Sequence, residues 1–219
     1  MESIHKIPIN EAFSENCGCP ICRLYERYDQ NAIRFLFEEG VMNPETRIET
    51  NKYGFCAKHA DALLKVGQSL SVALMLETRL QKLQGLLHEK QSLKGAIKEI
   101  EEAEHNCYIC NRLDKSMSEI AEFISVMYDT EEGFKDKFLN QEYFCLPHAK
   151  LLLENCKLKG GKQKEYLQDI LKKNLAFTMR TRRSLKNYAE SFDYKAKRGA
   201  GEVDKNASQY AIDYLTGKR

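Results

Sequence analysis

The sequence predicts an all-α fold built around a motif that occurs twice, and two observations lead to this prediction. Apolar residues recur at steps of three and four positions along most of the 219 residues, which is the spacing of one face of an α-helix. No window combines alternating apolar and polar residues with turn signals, as a half-buried strand would. We therefore expect a multi-helix protein whose small irregular regions surround the repeated motif.

The repeated motif is a tetrapeptide with two potential metal ligands, present as two CxxC pairs and two CxxH pairs. Cys19–Cys22 and Cys107–Cys110 form the first pattern, and Cys56–His59 and Cys145–His148 form the second. Cys107 lies 88 positions after Cys19, and Cys145 lies 89 positions after Cys56. Apolar neighbours keep the same offsets, for example Phe55 with Phe144. The chain therefore contains a duplicated CxxC…CxxH unit.

This unit is typical of a structural zinc site, because Zn²⁺ in closed sites prefers four tetrahedral Cys and His ligands. Duplication favours sites that close within one copy. The predicted ligands are Cys19, Cys22, Cys56 and His59 for one Zn²⁺, and Cys107, Cys110, Cys145 and His148 for a second. An exchanged arrangement, in which each ion joins pairs from both copies, is the less favoured alternative. An iron–sulfur cluster is disfavoured because its usual ligand set is all cysteine.

Two further residues lie at equivalent positions beside the first pair of each copy. Cys17 precedes Cys19 and aligns with His105, so both are candidates for spare ligands; the simpler interpretation is that they are loop residues near the metal. Cys19-Pro-Ile-Cys22 also resembles a redox-active pair, but such a pair would require a βαβ context. The surrounding sequence predicts helices instead.

The elements of the first copy are predicted in order from the apolar spacing and the breaker residues. Residues 1–18 look irregular, and a helix follows to about residue 39. Asn43 and Pro44 offer a helix cap and a first-turn proline for a short helix ending near Gly54. Residues 57–89 then predict one long coiled-coil-like helix, although Gly67 and Gly85 lie inside it. A helix with Leu93, Ile97 and Ile100 follows and would complete a helical hairpin.

The second copy repeats this plan and leads into a long C-terminal helix. Residues 113–127 predict one helix, Gly133 precedes a short one, and a long helix is expected from Lys162 to Tyr194. Asp204 is a candidate cap for a last helix ending at Gly217. The expected organisation is therefore residues 1–100 with the first zinc unit and long helix, 101–160 with the second zinc unit, and 161–219 with the basic C-terminal helix and tail. These parts are expected to pack as one compact domain.

Composition limits the class of protein but identifies no partner. The formal net charge is +2, and 42% of the residues are hydrophobic, as in ordinary globular proteins. No apolar run reaches the ~18–20 residues of a membrane span, and the first ten residues lack the apolar core of a signal peptide. We therefore expect a cytoplasmic protein, in which repeated CxxC spacing indicates metal binding rather than disulfides.

Function is predicted from the closed ligand sets and from one basic segment. Four protein ligands leave no open position on zinc, and no phosphate loop, HExxH motif or nucleophile elbow is present. The protein is therefore expected to be a non-enzymatic partner-binding or nucleic-acid-binding module. A thiol-based redox or zinc sensor is the alternative. An enzyme with a site assembled from scattered polar residues remains a third possibility.

The basic segment extends from Lys157 to Arg198, where thirteen Lys or Arg residues accompany four acids. Such a helix can follow a phosphate backbone, and nearby aromatic rings can stack on bases. It can also be a solvated face that balances acidic segments, or bind an acidic protein or a membrane surface. The candidate nucleic-acid contacts are Lys172, Lys173, Arg180, Arg182, Arg183 and Lys186.

The layout also resembles an uncharacterised bacterial family with a duplicated CxxC…CxxH pattern. The resemblance is carried by Cys19-Pro-Ile-Cys22, by Gly54-Phe-Cys-Ala-Lys-His59, by Tyr143-Phe-Cys-Leu-Pro-His148 and by the tail from Phe192 to Gly217. It covers nearly the full length and implies a cytoplasmic protein without an established activity. Members often have a tryptophan in the tail, and this chain has none.

Overall fold

A computed structural model describes residues 2–15, 18–67, 69–88, 92–192 and 201–217, and these residues form helices and no strands. The predicted all-α fold is therefore confirmed. The α-helices are α1 (Glu2–Ser14), α2 (Pro20–Glu38), α3 (Pro44–Tyr53), α4 (Ala57–Lys65), α5 (Ser69–His88), α6 (Leu93–His105), α7 (Tyr108–Thr130), α8 (Phe134–Leu139), α9 (Leu146–Glu154), α10 (Gly160–Glu190), α11 (Glu202–Lys205) and α12 (Ala207–Thr216). None of them is long and apolar enough to cross a membrane.

The helix caps follow the sequence signals in α3. The Asn43 side-chain oxygen accepts hydrogen bonds from the backbone N–H groups of Glu45 (2.9 Å) and Thr46 (3.1 Å). Pro44 occupies the first turn, where its missing N–H group leaves no hydrogen bond unmade. Gly54 ends the helix with a φ of +65°, a conformation that side chains disfavour.

Three local expectations are wrong. Residues 2–14 form a helix rather than an irregular segment, because burial of Ile9 and Phe13 offsets the hydrogen bond that Pro8 cannot donate. The long helix predicted for residues 57–89 is divided into α4 and α5, and Gly67 between them has a φ of +79°. Asp204 lies within α11 and therefore does not cap the last helix, although Gly217 does end it.

The chain forms two compact units. Met1–Glu26 together with Met117–Arg219 form the discontinuous unit, and Arg27–Ser116 form the continuous unit. This grouping differs from the three stretches expected from the sequence, which stay a prediction. The ends of the chain belong to the same unit, so the first and last ligand pairs lie in one unit and the two middle pairs in the other.

An aromatic cluster forms the core of the discontinuous unit. The Phe13 ring lies 5.1 Å from that of Phe134 and 5.9 Å from that of Phe138. The Phe138 ring lies 4.7 Å from Phe144 and 5.3 Å from Tyr166. These rings come from α1, α8, α10 and the segment before α9. The CxxH motif after Phe144 is therefore anchored directly to the core.

The continuous unit packs α5 against α3. Val72 and Met75 are buried on α5, and Arg79 on the same face donates to the backbone carbonyls of Asn51 (2.5 Å) and Lys52 (3.1 Å). These hydrogen bonds satisfy carbonyls in the last turn of α3, which would otherwise lack intrahelical partners. The leucine spacing of the predicted coiled-coil-like helix puts Leu70 and Leu80 on its apolar seam, but these two residues are 71% and 63% exposed. The buried face of α5 is therefore a different one.

Candidate metal centres

The eight predicted ligands converge into two clusters. The outer cluster consists of Cys19, Cys22, Cys145 and His148, and the inner cluster consists of Cys56, His59, Cys107 and Cys110. Within each cluster, the potential ligand atoms all lie within 4.8 Å of one another. Both clusters contain three thiols and one imidazole and can hold a metal ion.

The predicted grouping of these ligands is wrong. Each cluster joins the CxxC pair of one copy to the CxxH pair of the other, so the exchanged arrangement is the observed one. In the continuous unit, the Tyr108 N–H group donates to the Gly54 carbonyl at 2.9 Å and brings the two middle pairs together. The α2 helix carries the chain away from Cys22 into the continuous unit. As a result, the first copy does not close on itself.

The interatomic distances in the inner cluster fit a tetrahedral ion. The Nδ1 atom of His59 lies 3.2, 3.3 and 3.4 Å from the Sγ atoms of Cys56, Cys107 and Cys110. The Sγ atoms of Cys56 and Cys110 are 3.8 Å apart. Zinc with bonds of ~2.3 Å to sulfur and ~2.0 Å to nitrogen would separate two sulfurs by roughly 3.8 Å, and a sulfur and a nitrogen by roughly 3.5 Å. The side chains therefore already have the spacing that a bound ion requires.

The outer cluster has the same geometry. The Nδ1 atom of His148 lies 3.1 Å from Cys145 Sγ, 3.3 Å from Cys22 Sγ and 3.8 Å from Cys19 Sγ. The Sγ atoms of Cys22 and Cys145 are 3.7 Å apart. Both histidines thus direct Nδ1 toward the thiols, which leaves Nε2 available for other contacts.

Helix starts position both CxxH pairs. Cys56 and Cys145 are the N-cap residues of α4 and α9, and neither side chain caps a backbone N–H group. Their sulfurs are therefore available for a metal. Each histidine follows three residues later in the first turn, on the same side of the helix. A thiolate at this end of a helix is also favoured by the unpaired N–H groups and the helix dipole.

The first CxxC pair lies where the chain enters α2. Gly18 has a φ of +84°, and a Cβ atom at this position would lie 3.3 Å from the Tyr143 hydroxyl. The Cys22 N–H group donates to the Cys19 carbonyl at 3.2 Å, which closes the turn between the two ligands. A residue without a side chain is therefore required immediately before this pair.

The two clusters differ in their burial. All four residues of the outer cluster are buried, whereas Cys56 and Cys110 of the inner cluster are only half-buried. Solvent and small reagents can therefore reach part of the inner cluster directly. The two sites therefore have the same set of ligands but differ in their exposure to solvent.

The clusters also differ in how the histidine is oriented. In the inner cluster, the Nε2 atom of His59 lies 2.8 Å from Asp29 Oδ1, and Lys58 pairs with the other Asp29 oxygen at 3.2 Å. In the outer cluster, the Tyr25 ring lies 6.2 Å from the His148 ring. A carboxylate that accepts from a ligating histidine fixes its tautomer and raises its basicity. Asp29 was not identified from the sequence, where one acidic residue 30 positions before His59 gives no signal.

Neighbouring groups shift the pKa values of the ligands in both clusters. In the inner cluster, burial opposes the charged form of His59, but hydrogen bonds with Cys107 and Asp29 raise its pKa to about 9. Burial opposes ionisation of Cys107, yet its hydrogen bond with His59 lowers the thiol pKa to about 6. In the outer cluster, hydrogen bonds with Cys145 and Cys19 lower the pKa of Cys22, and burial raises that of Cys19. A metal that takes these ligands must therefore displace protons.

The six candidate nucleic-acid contacts all lie on α10, and three of them contact other groups of the same chain. Lys173 donates to the carbonyls of Leu139 and Gln141, the latter at 2.7 Å. Arg180 pairs with Glu142 at 2.5 Å, and Lys186 pairs with Glu190 at 3.6 Å. Lys172, Arg182 and Arg183 are exposed. Three cations of the basic segment, at positions 195, 197 and 198, lie outside the described residues.

The structure leaves the two candidate spare ligands open. Cys17 lies outside the described residues, and so does the side chain of His105.

Comparisons with known proteins place the chain in a family without assigning an activity. No curated protein and no solved structure matches it. One family model covers residues 1–219, a span that includes both copies of the ligand pairs and all of the described helices. The chain belongs to a family of unknown function, DUF6062.

Proposed function

We propose that both clusters bind Zn²⁺ and that the protein is a cytoplasmic, zinc-stabilised, non-enzymatic module that binds a partner. The observation that carries the zinc proposal is the spacing of the ligand atoms, which matches a tetrahedral ion twice. Three thiols and one imidazole favour zinc over Mg²⁺ or Ca²⁺, which prefer oxygen ligands. Four protein ligands leave no position for a substrate, so the role of the ion is structural.

The test is the metal content of the full chain purified without added metal. Native mass spectrometry and elemental analysis should give two zinc ions per chain. Removing them with a chelator should reduce the helical circular dichroism signal, because metal binding and folding are coupled in sites of this kind. A chain that folds fully without metal would contradict the structural role, and a different ion would contradict zinc.

The proposed partner surface is the exposed face of α10. Lys172, Arg182 and Arg183 share it with Leu171, Leu175 and Met179, which are 53%, 61% and 64% exposed. Apolar side chains between the cations favour a protein with acidic and apolar residues over a phosphate backbone, which needs cations alone. Nucleic acid is the competing partner.

Charge and apolar substitutions distinguish these two partners. The first measurement is a gel shift at low salt with random DNA and RNA oligonucleotides. Nucleic-acid binding should decrease with Arg182→Ala and rising salt but not with Leu175→Ser. A protein interaction, followed by crosslinking, should decrease with both substitutions. Lys115→Ala, an exposed lysine on α7, is the control. Binding that all three variants preserve would exclude the α10 face.

A sensor function is favoured by one observation, the partial exposure of Cys56 and Cys110. Peroxide can oxidise two such thiolates to a disulfide, with two protons taken up and two waters formed, and the zinc then loses two ligands. Mild peroxide followed by alkylation and mass spectrometry should locate oxidation at Cys56 and Cys110 before Cys22 and Cys145. Equal oxidation of both clusters, or zinc retention under oxidant, would count against a sensor.

A further inference from the structure

A cavity of about 480 Å³ lies beside the outer cluster in the discontinuous unit. The predicted ligands Cys19 and Cys22 form one part of its wall, and Tyr143, from the segment before α9, forms another. Tyr210 and Asp213 line it from α12. The outer cluster and α12 therefore both contribute to one concave surface.

The wall of this cavity is acidic. Three carboxylates line it, from Glu26, Glu142 and Asp213, against one cation, Arg23. Arg23 pairs with Glu15 and Glu142 pairs with Arg180, and both partners lie outside the wall, so the net charge of the region stays negative. Within the described residues, Glu26 has no hydrogen-bond or ion-pair partner. If the outer cluster holds Zn²⁺, as proposed above, its three thiolates add a further net charge of −1. A cavity of this charge attracts cations and repels phosphate and carboxylate ligands.

The Tyr143 side chain is largely buried, and its hydroxyl lines the cavity without a hydrogen-bond partner among the described residues. Tyr143 is 6% exposed, and its ring packs 4.1 Å from that of Phe177 and 5.7 Å from that of Tyr214. Its hydroxyl is directed toward Gly18, which also lines the cavity. No described residue forms a hydrogen bond with this hydroxyl. The hydroxyl is not sealed off from solvent, so it is available to a molecule bound in the cavity.

The spacing of the carboxylates favours an organic cation over a single metal ion as the ligand of this cavity. Among the described residues, only the two Cys and His clusters bring three potential ligand atoms within 4.8 Å of one another, so Glu26, Glu142 and Asp213 do not converge on one point. A single metal ion therefore cannot use all three. A chain with ammonium groups at intervals can pair with separated carboxylates, and the tyrosine rings favour the same cations.

We propose that this cavity binds an alkylammonium ligand with more than one amino group. The ammonium groups pair with Glu26 and Asp213 and donate N–H hydrogen bonds to the Tyr143 hydroxyl and the zinc-bound sulfurs. The same chemistry is present in a free polyamine and in the lysine side chains of a protein. The contribution of the sulfurs rests on the proposed zinc site; that of the carboxylates and Tyr143 does not.

The experiment is calorimetric titration of the metal-loaded full chain with spermidine, a capped Lys-Gly-Lys peptide and a neutral diol of similar length. Saturable binding of an ammonium ligand, and no binding of the diol, is expected. Binding of the peptide alone supports the proposal with a protein lysine as the source, and binding of spermidine supports it with a free polyamine. Absence of saturable binding for both amines would overturn it.

Single substitutions show whether binding occurs in the cavity. Glu26→Gln and Asp213→Asn should each weaken binding about tenfold or more, because each removes the negative charge of an ion pair. Tyr143→Phe should weaken it about fivefold, because it removes a hydrogen-bond acceptor. Glu119→Gln removes an exposed carboxylate on α7, outside the cavity, and should leave binding unchanged. An equal loss in Glu119→Gln would indicate diffuse attraction and would overturn the proposal.

Metal content is measured on the same samples, so that this inference and the zinc proposal can fail separately. Two zinc ions per chain without amine binding would overturn only the cavity proposal. Amine binding that depends on Glu26 in a chain without zinc would overturn only the zinc proposal.

Discussion

The outer and inner clusters have the same ligands but hold them in different ways. The outer cluster is fully buried, and no described residue forms a hydrogen bond with Nε2 of His148, which is 2% exposed. The inner cluster is partly open, and Asp29 orients His59 through a 2.8 Å hydrogen bond. Packing fixes one histidine and a carboxylate fixes the other. The comparison shows that a duplicated motif can retain its geometry while its surroundings diverge.

The largest expected effect is on the number of ions that paired substitutions leave. Replacing Cys22 and Cys145 with Ser damages only the outer cluster and should leave one zinc ion per chain. Replacing Cys22 and Cys56 damages both clusters and should leave none, although the same number of thiols is lost. Native mass spectrometry measures both variants.

The reverse result would support the grouping in which each ion is bound by the two ligand pairs of a single copy. In that grouping, the Cys22 and Cys56 variant would keep one ion and the Cys22 and Cys145 variant would keep none. Circular dichroism of both variants serves as the control, because unfolding of the whole chain would remove both ions irrespective of grouping.

The exchanged grouping also shows what the sequence could predict. The residue types and spacing identified all eight side chains that converge, because soft ligands two residues apart give a strong local signal. Which pairs meet depends on where α2 and α7 carry the chain, and the offsets of 88 and 89 positions are the same for either grouping. Local patterns therefore predicted the helices and the ligand pairs but not their partners.

Features that depend on tertiary contacts were missed for the same reason. Asp29 reaches His59 only after α2 and α4 have folded together. Burial of Ile9 and Phe13 stabilises α1 despite Pro8, and this burial depends on the packing of α8 against α1. The exposed seam of α5 shows the converse. Its leucine spacing predicted a helix correctly, but spacing alone did not predict which face α3 would bury.

A smaller effect is expected from Asp29→Asn, which tests the support of the inner histidine. The amide cannot reproduce the carboxylate's charge, and loss of such a partner typically weakens metal binding about 10–100-fold. Competition with a chromophoric chelator should show this loss at the inner cluster while the outer cluster keeps its affinity.

Asp61→Asn is the matched control for this substitution. Asp61 lies exposed on α4, two residues after His59. Its substitution removes the same charge as Asp29→Asn but does not remove a hydrogen bond to the His59 ring. If Asp61→Asn weakened zinc binding as much as Asp29→Asn, general charge and not the hydrogen bond to Nε2 would support the site.

The smallest expected effect compares two glycines with similar backbone conformations, one in each unit. Gly54 (φ +65°, ψ −153°) and Gly217 (φ +68°, ψ 162°) both occupy a region that is nearly restricted to glycine. A Cβ atom at position 54 would lie 3.1 Å from Arg79 Nε, whereas one at position 217 would lie 3.1 Å from Cys145 Sγ, a predicted metal ligand.

Gly54→Ala and Gly217→Ala should each destabilise the protein by about 1–3 kcal/mol through backbone strain. Gly217→Ala should also lower zinc affinity at the outer cluster, because the new methyl group displaces the sulfur. Thermal unfolding and chelator competition measure the two effects separately, and unchanged zinc affinity in Gly217→Ala would mean that the buried cluster can shift without losing its geometry.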